Sequence, residues 1–217
     1  MNRKSHWESV YQKRASSNLS WHQQHPRRSL DLIKRTALPK DARIIDVGGG
    51  DSSLVDDLIS EGYRDITVLD LSRAALDRAR ARVGNVASGR VAWLEGDILE
   101  LKVPAEAFDI WHDRAVFHFL TTTEQRDAYI RVVEHAVRPG GHVIVATFAE
   151  DGPTRCSGLP VNRYSAGQLH GTFGAAFQLV ESERETHRTP AGVDQPFTYC
   201  WCRYEPIGIE AVGAGSR

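Results

Sequence analysis

The chain has 217 residues, 25% of them charged and 41% hydrophobic, with a formal net charge of -1. That length suits one α/β domain with a buried sheet, and without a basic excess there is no surface for a phosphate backbone, so no nucleic-acid partner is expected. No apolar leader core or membrane-length stretch is present, which points to a cytoplasmic protein with no membrane partner, and the odd set Cys156, Cys200 and Cys202 does not read as a disulfide framework.

Residues 1–28 are polar yet hold Trp7, Tyr11 and Trp21, more aromatic surface than a disordered segment carries, and are expected to pack as a cap. Leu30, Leu32, Ile33 and Ala37 at helical spacing predict a helix over 29–38, closed by Pro39. A strand at 43–47 then runs into Gly48-Gly49-Gly50-Asp51 and a helix with Leu54, Val55, Leu58 and Ile59 on one face, ending at Gly62. The next strand, Ile66-Thr67-Val68-Leu69, ends in Asp70, and Ser72 reads as the N-cap of a helix through Val83. Further strands are predicted at 91–95, 108–112 and 142–147, with a helix over 123–137. Residues 150–167, rich in Gly, Pro and Ser, read as a loop or lid; 177–184 and 197–204 alternate like an antiparallel hairpin; 207–217 read as a flexible tail. The class is α/β, doubly wound, with a mostly parallel sheet and helices on both faces.

The glycine turn and Asp70 name a ligand. Glycines let backbone approach a ligand closely, and an acid at the tip of the second strand can accept both hydroxyls of a ribose; its other reading is a cap for the following helix. A dinucleotide fold would want a third glycine where Ser53 stands and an uncharged helix start for pyrophosphate, whereas Asp51 there favours a ligand with an amino group and a sulfonium. That favours S-adenosylmethionine as the expected ligand.

Asp46-Val47-Gly48-Gly49-Gly50 resembles the D-x-G-x-G first motif of the class I methyltransferases. The resemblance continues through Asp70, Gly96-Asp97-Ile98, Phe108-Asp109-Ile110 and Val137-Arg138-Pro139-Gly140-Gly141, the last expected before the fifth strand, and spans roughly residues 30–205. It implies a seven-stranded sheet ending in the antiparallel hairpin, a methyltransferase domain over 29–206, Asp97 accepting the adenine amino group and the Ile98 amide reaching a ring nitrogen. Leu71 is then placed to cover the adenine, Asp46 belongs to the turn, and the backbone near Asp113 or Arg114 is placed to take the cofactor amine.

His118, Asp113 and Tyr164 are the candidate catalytic groups, with His112 also near the expected mouth; His118 either orients a substrate or takes a proton, or packs among Val116, Phe117 and Phe119. Trp7, Tyr11 and Trp21 are the candidate aromatic cover, able to face a sulfonium; Trp21 is the better lid candidate, and a satellite core is the alternative for Trp7. Arg155, Cys156, Arg163 and Tyr164 in the 150–167 loop are the candidate substrate contacts, suited to clamping a small anion, although Arg163 paired with an acid and Tyr164 packed under the loop is an alternative. Residues 187–197 either close the same pocket or form a long hairpin. The expected reaction is methyl transfer to the oxygen, nitrogen or sulfur of a small-molecule acceptor. A metalloid acceptor is also conceivable through the cysteines, although no bound metal is expected. The alternatives are a protein lysine methyltransferase, since Trp7 and Tyr11 one helical turn apart resemble the opening of several of that group, and a non-catalytic cofactor-binding partner subunit. A monomer or homodimer is expected.

Overall fold

The computed structural model describes residues 2–207 apart from Ser88 and Leu101; of the expected tail, everything after Ile207 lies outside the described residues. Seven strands form one sheet in the order β3-β2-β1-β4-β5-β9-β8, where β1 is Arg43–Val47, β2 Asp65–Asp70, β3 Val91–Glu95, β4 Phe108–Arg114, β5 Val137–Phe148, β8 Phe177–Arg188 and β9 Asp194–Tyr204. β3, β2, β1, β4 and β5 run parallel, and β9 joins β5 antiparallel, as does β8 to β9.

The alternation of β-branched side chains along each strand explains two cores. Ile45, Val47, Trp111, Val143 and Val145 point to one face and pack with Tyr129 and Val133 of α5 (Thr123–Ala136) and Leu169 and Phe173 of α6 (Ala166–Phe173). Ile44, Ile66, Val68, Ile110 and Ile144 point to the other, against α2 (Arg27–Arg35), α3 (Leu54–Ser60) and Leu76 of α4 (Arg73–Val83). β1 and β4 are neighbours although α3, β2, α4 and β3 intervene in sequence, so crossovers leave β1 in opposite directions and open a crevice at the carboxyl ends of these two strands.

Ser72 caps α4 as the sequence predicts, accepting from the Ala75 amide. Three other expectations are corrected. Strand five begins at Val137, not His142, because Val137 already pairs with Phe108 ahead of a register shift; the Pro139-Gly140-Gly141 turn is absorbed as an irregularity within it, with Gly140 at φ +76°. The last two strands are longer than their alternation suggests: His187 pairs with Gln195 and Arg188 with Asp194, so 187–197 is a long hairpin. The 150–167 segment is not an open lid either. It carries a short hairpin of β6 (Arg155–Cys156) and β7 (Leu159–Pro160), and its Cys156 and Tyr164 are buried.

The N-terminal segment is ordered over the crevice. α1 (Arg3–Lys13), capped by Asn2, packs on α4, and Tyr11 and Leu19 are buried against Ala75. Among the described residues no helix is long and apolar enough to cross a membrane.

Candidate active site

The crevice is a cavity of about 760 Å³ including its mouth, lined at one end by Asp70, Leu71, Gly96, Asp97 and Ile98 and at the other by Arg114, Ala115, Phe119 and Cys156. Gly48 sits between them at φ +68°, where an added Cβ would collide with Val116. At Gly50, φ +47°, a Cβ would lie 2.8 Å from Asp70 Oδ2 and 2.9 Å from the Tyr11 hydroxyl. Both positions therefore demand glycine, and the turn they make brings bare backbone to the cavity.

Asp70 is 8% exposed, and one of its oxygens accepts from the Ser72 amide at 2.7 Å. Burial pushes its carboxyl up to about 7, opposed by that amide and reinforced by the nearby charges of Asp46 and Glu8. A buried carboxylate this short of donors matches a diol that brings two. Asp97 holds the Leu99 amide at 3.0 Å and lies 3.9 Å from Arg3, while Leu71 and Ile98 supply apolar surface on either side.

α1 roofs this end. Trp7 and Tyr11 line the cavity, and the helix is fastened to its rim by Lys4 to Glu95 at 2.5 Å and by Glu8, which accepts from Ser72 Oγ at 2.8 Å and the Ala74 amide at 3.3 Å. Arg78 of α4 donates to the carbonyls of Tyr11 and Arg14. Trp21 completes the roof, edge to face with Trp7 at 5.6 Å and with Tyr11 at 6.2 Å.

A second chamber of about 570 Å³ adjoins the first, sharing Tyr11, Trp21, Gly48 and Arg114, and is lined also by Asp46, Gly49, His22, Gln23 and His112. Parallel pairing sets Asp46 opposite His112, and their side chains meet, Nδ1 to Oδ1 at 2.7 Å. His112 Nε2 is buried without a hydrogen-bond partner. Asp51 also borders this chamber, but Arg82 and Ser16 both engage its carboxylate, and Arg78 stands 3.9 Å away. The repulsion of phosphate expected from Asp51 is thus largely cancelled by a partner the sequence pattern does not show.

Trp21, Gly48, Asp70, Leu71, Asp97, Ile98, Arg114 and Cys156 come together around the first chamber, and Asp46 and Gly49 around the second. Other expected site residues do not join them. Asp113 is fully buried on the opposite face of β4, where its oxygens accept from the Val116 and Phe117 amides and from the Tyr129 hydroxyl at 2.6 Å. His118 is fully buried against Phe148, lines neither chamber, and burial pushes its pKa down to about 3. Tyr164 packs on Phe117, and with Arg163 it borders a separate open depression; Arg163 donates to the Gly152 carbonyl rather than to an acid. Arg155 is exposed and donates to the Gly158 carbonyl within its own hairpin. Trp7 and Tyr11 line the first chamber beside Trp21, as a cover would; residues missed from sequence are Phe119, and His112 as the partner of Asp46. Cys200 and Cys202 are buried on β9 with their sulfurs 3.4 Å apart, remote from any ligand set: among the described residues no group of three His, Cys, Asp or Glu could hold a metal ion.

A family model described as a methyltransferase domain matches residues 44–141. The mouse (Mus musculus) eEF1A lysine and N-terminal methyltransferase is 23% identical over 151 residues, 67% of this chain and 21% of its own length. EEF1A lysine methyltransferase 4 of Bos taurus is 27% identical over 161 residues, 69% of this chain and 62% of its own, so the chain spans less than two thirds of either relative. A solved structure of Burkholderia thailandensis 1,6-didemethyltoxoflavin-N1-methyltransferase, with 1,6-didemethyltoxoflavin and S-adenosylhomocysteine bound, superposes with a TM-score of 0.73 at 20% identity, covering 94% of this chain and 87% of the other. The [4+2]-cyclase SpnF shares the fold at a TM-score of 0.66 and 20% identity, over 94% of this chain and 93% of that one. Residues 44–141, with their glycine turn and the acid ending β2, thus match a methyltransferase domain, and the sheet order already described is the fold of these solved structures.

Proposed function

We propose that this chain transfers a methyl group from S-adenosylmethionine to a small-molecule acceptor at oxygen, nitrogen or sulfur. In this reading Asp70 takes the ribose hydroxyls, Asp97 and the Ile98 amide the adenine, Leu71 covers its ring, and Gly48 and Gly49 give the rest of the cofactor bare backbone. Bound, the cofactor supplies a methyl carbon activated by its sulfonium leaving group, so the protein's own residues position the acceptor and exclude water. The observation that carries the reading is the roof. Trp7, Tyr11 and Trp21 line the same cavity as Asp70 and Asp97, which walls the acceptor end on the side away from the sheet.

Modification of a protein lysine is the second reading, favoured by the relatives named as eEF1A lysine methyltransferases. It needs a carboxylate beside the incoming ammonium. Asp113, the candidate for that role, is spent on Tyr129 and two amides.

Calorimetric titration with S-adenosylhomocysteine, and with NAD for comparison, tests the cofactor: micromolar binding of the first alone is expected. Radiolabelled methyl transfer to a panel of small acceptors, against eEF1A in parallel, then separates the two readings. Label appearing only in eEF1A would overturn the small-molecule assignment.

A further inference from the structure

The acceptor end of the cavity is walled by aromatic rings and carries a single charge. Trp7 stands edge to face with Trp21 at 5.6 Å and with Phe119 at 5.2 Å, presenting aromatic surfaces at steep angles to one another. Beside them lies Cys156, whose thiol burial pushes up to about 12, so it is neutral at ordinary pH. The acids lining the cavity, Asp70 and Asp97, belong to the nucleoside end. The charge at the acceptor end is Arg114.

Arg114 is nine-tenths buried, its side chain 10% exposed. Nε donates to the Tyr199 hydroxyl at 3.1 Å and Nη1 to the Trp21 carbonyl at 3.4 Å, but Nη2 has no hydrogen-bond partner. Nη2 forms a long ion pair with Glu185 at 3.8 Å, beyond hydrogen-bond reach; Glu185 already accepts from Tyr199 and from Gln23, and it lines neither chamber. A buried guanidinium with an unused donor, bordering a cavity, is costly unless something accepts from it.

We propose that the acceptor is a planar small molecule carrying an anionic oxygen, a carboxylate or phenolate, set among Trp7, Trp21 and Phe119 and held by Arg114. This rests on the small-molecule methyltransferase reading and narrows it. An ammonium acceptor would arrive with its lone pair blocked, would meet the like charge of Arg114, and would find no base: His118 and Asp113 lie elsewhere, Cys156 is protonated, and His112 lines only the second chamber. An anionic oxygen arrives with its lone pair free. The bond formed is oxygen to methyl carbon and the bond broken is carbon to sulfur, whose electron pair stays on sulfur; no proton moves, and an anion and a cation become two neutral products. Apolar walls favour such charge annihilation, because the separated charges are the species they solvate worst.

The test is calorimetric titration of the protein saturated with S-adenosylhomocysteine, using benzoate, 4-nitrophenolate, benzyl alcohol and benzylamine as probes. The anions should bind at least about ten-fold more tightly than benzylamine, and Arg114→Gln should erase that preference while Arg114→Lys keeps part of it. Should Arg114→Gln fail to fold, the ranking of ligands on the native protein still decides. Benzylamine binding as well as the anions, or no probe binding to the loaded protein, overturns the proposal and leaves the methyltransferase reading intact. No binding of S-adenosylhomocysteine overturns both.

Discussion

Asp70 shows how a single side chain joins fold stability to ligand binding. Its carboxyl stands at about 7 in the folded protein against an ordinary 3.8, raised chiefly by burial, so the folded state holds its proton over that interval. The stability it contributes is full below the ordinary value and is lost as the pH rises through about 7. A ribose diol donates to the ionised form and favours it. Binding of S-adenosylhomocysteine between about pH 5 and 7 should therefore release a proton, seen as a dependence of calorimetric enthalpy on the buffer's ionisation heat. Asp70→Asn should abolish that release and weaken binding by about 1 to 3 kcal/mol. Asp113 makes the contrasting case. With its oxygens spent on Tyr129 and two amides, Asp113→Ala should cost about 1 to 3 kcal/mol in urea denaturation. The sequence writes His112, Asp113 and Arg114 as one polar run, and strand alternation says only that the outer two share a face. Which face meets the cavity is decided by Asp46 across the sheet and by Tyr129 on α5, partners no local pattern displays. Asp70 is legible because its role follows from its own strand and turn.

Among the elements, α1 shows best what a pattern reading loses. It lacks an apolar stripe, since its job is to lay Trp7 and Tyr11 on a cavity rather than to fill a core, and those aromatics one turn apart are its one sequence signal. Its hold on the rim is polar. Glu8→Ala frees the start of α4 and removes the two hydrogen bonds from Ser72 and Ala74, a loss of about 1 kcal/mol, so S-adenosylhomocysteine should leave about five-fold faster in a stopped-flow displacement. An unchanged off-rate would mean that α1 does not gate the cavity. α6 is hidden for another reason: Gly and Pro crowd the stretch before it. Its local signal is the capping box, Ser165 with Gln168 just ahead of Leu169 and Phe173. The central strands were legible because both their faces are buried, which makes them continuous apolar runs whichever way they turn.

At the scale of the whole molecule, the strand order gathers Gly48, Asp70, Asp97 and Arg114, the proposed cofactor end and its neighbour, at the carboxyl ends of adjacent strands, so ligand and fold should stabilise each other. S-adenosylhomocysteine at a hundred times its dissociation constant should raise unfolding stability by about 2.7 kcal/mol and move the thermal midpoint upward, while NAD should leave it in place. No shift with either would detach the crevice from its ligand. The sheet itself was foreseeable from five motifs in order, whereas its substrate end depends on contacts between segments far apart in sequence, such as Trp7 with Phe119 and Arg114 with Tyr199. One consequence of α1 concerns time rather than shape. Trp7 is at once part of the cover over the nucleoside end and a wall of the acceptor end, so the helix cannot lift for one ligand without dismantling the berth of the other. Turnover should then be compulsorily ordered, cofactor in first and spent cofactor out last, and S-adenosylhomocysteine should compete with S-adenosylmethionine but not with the acceptor.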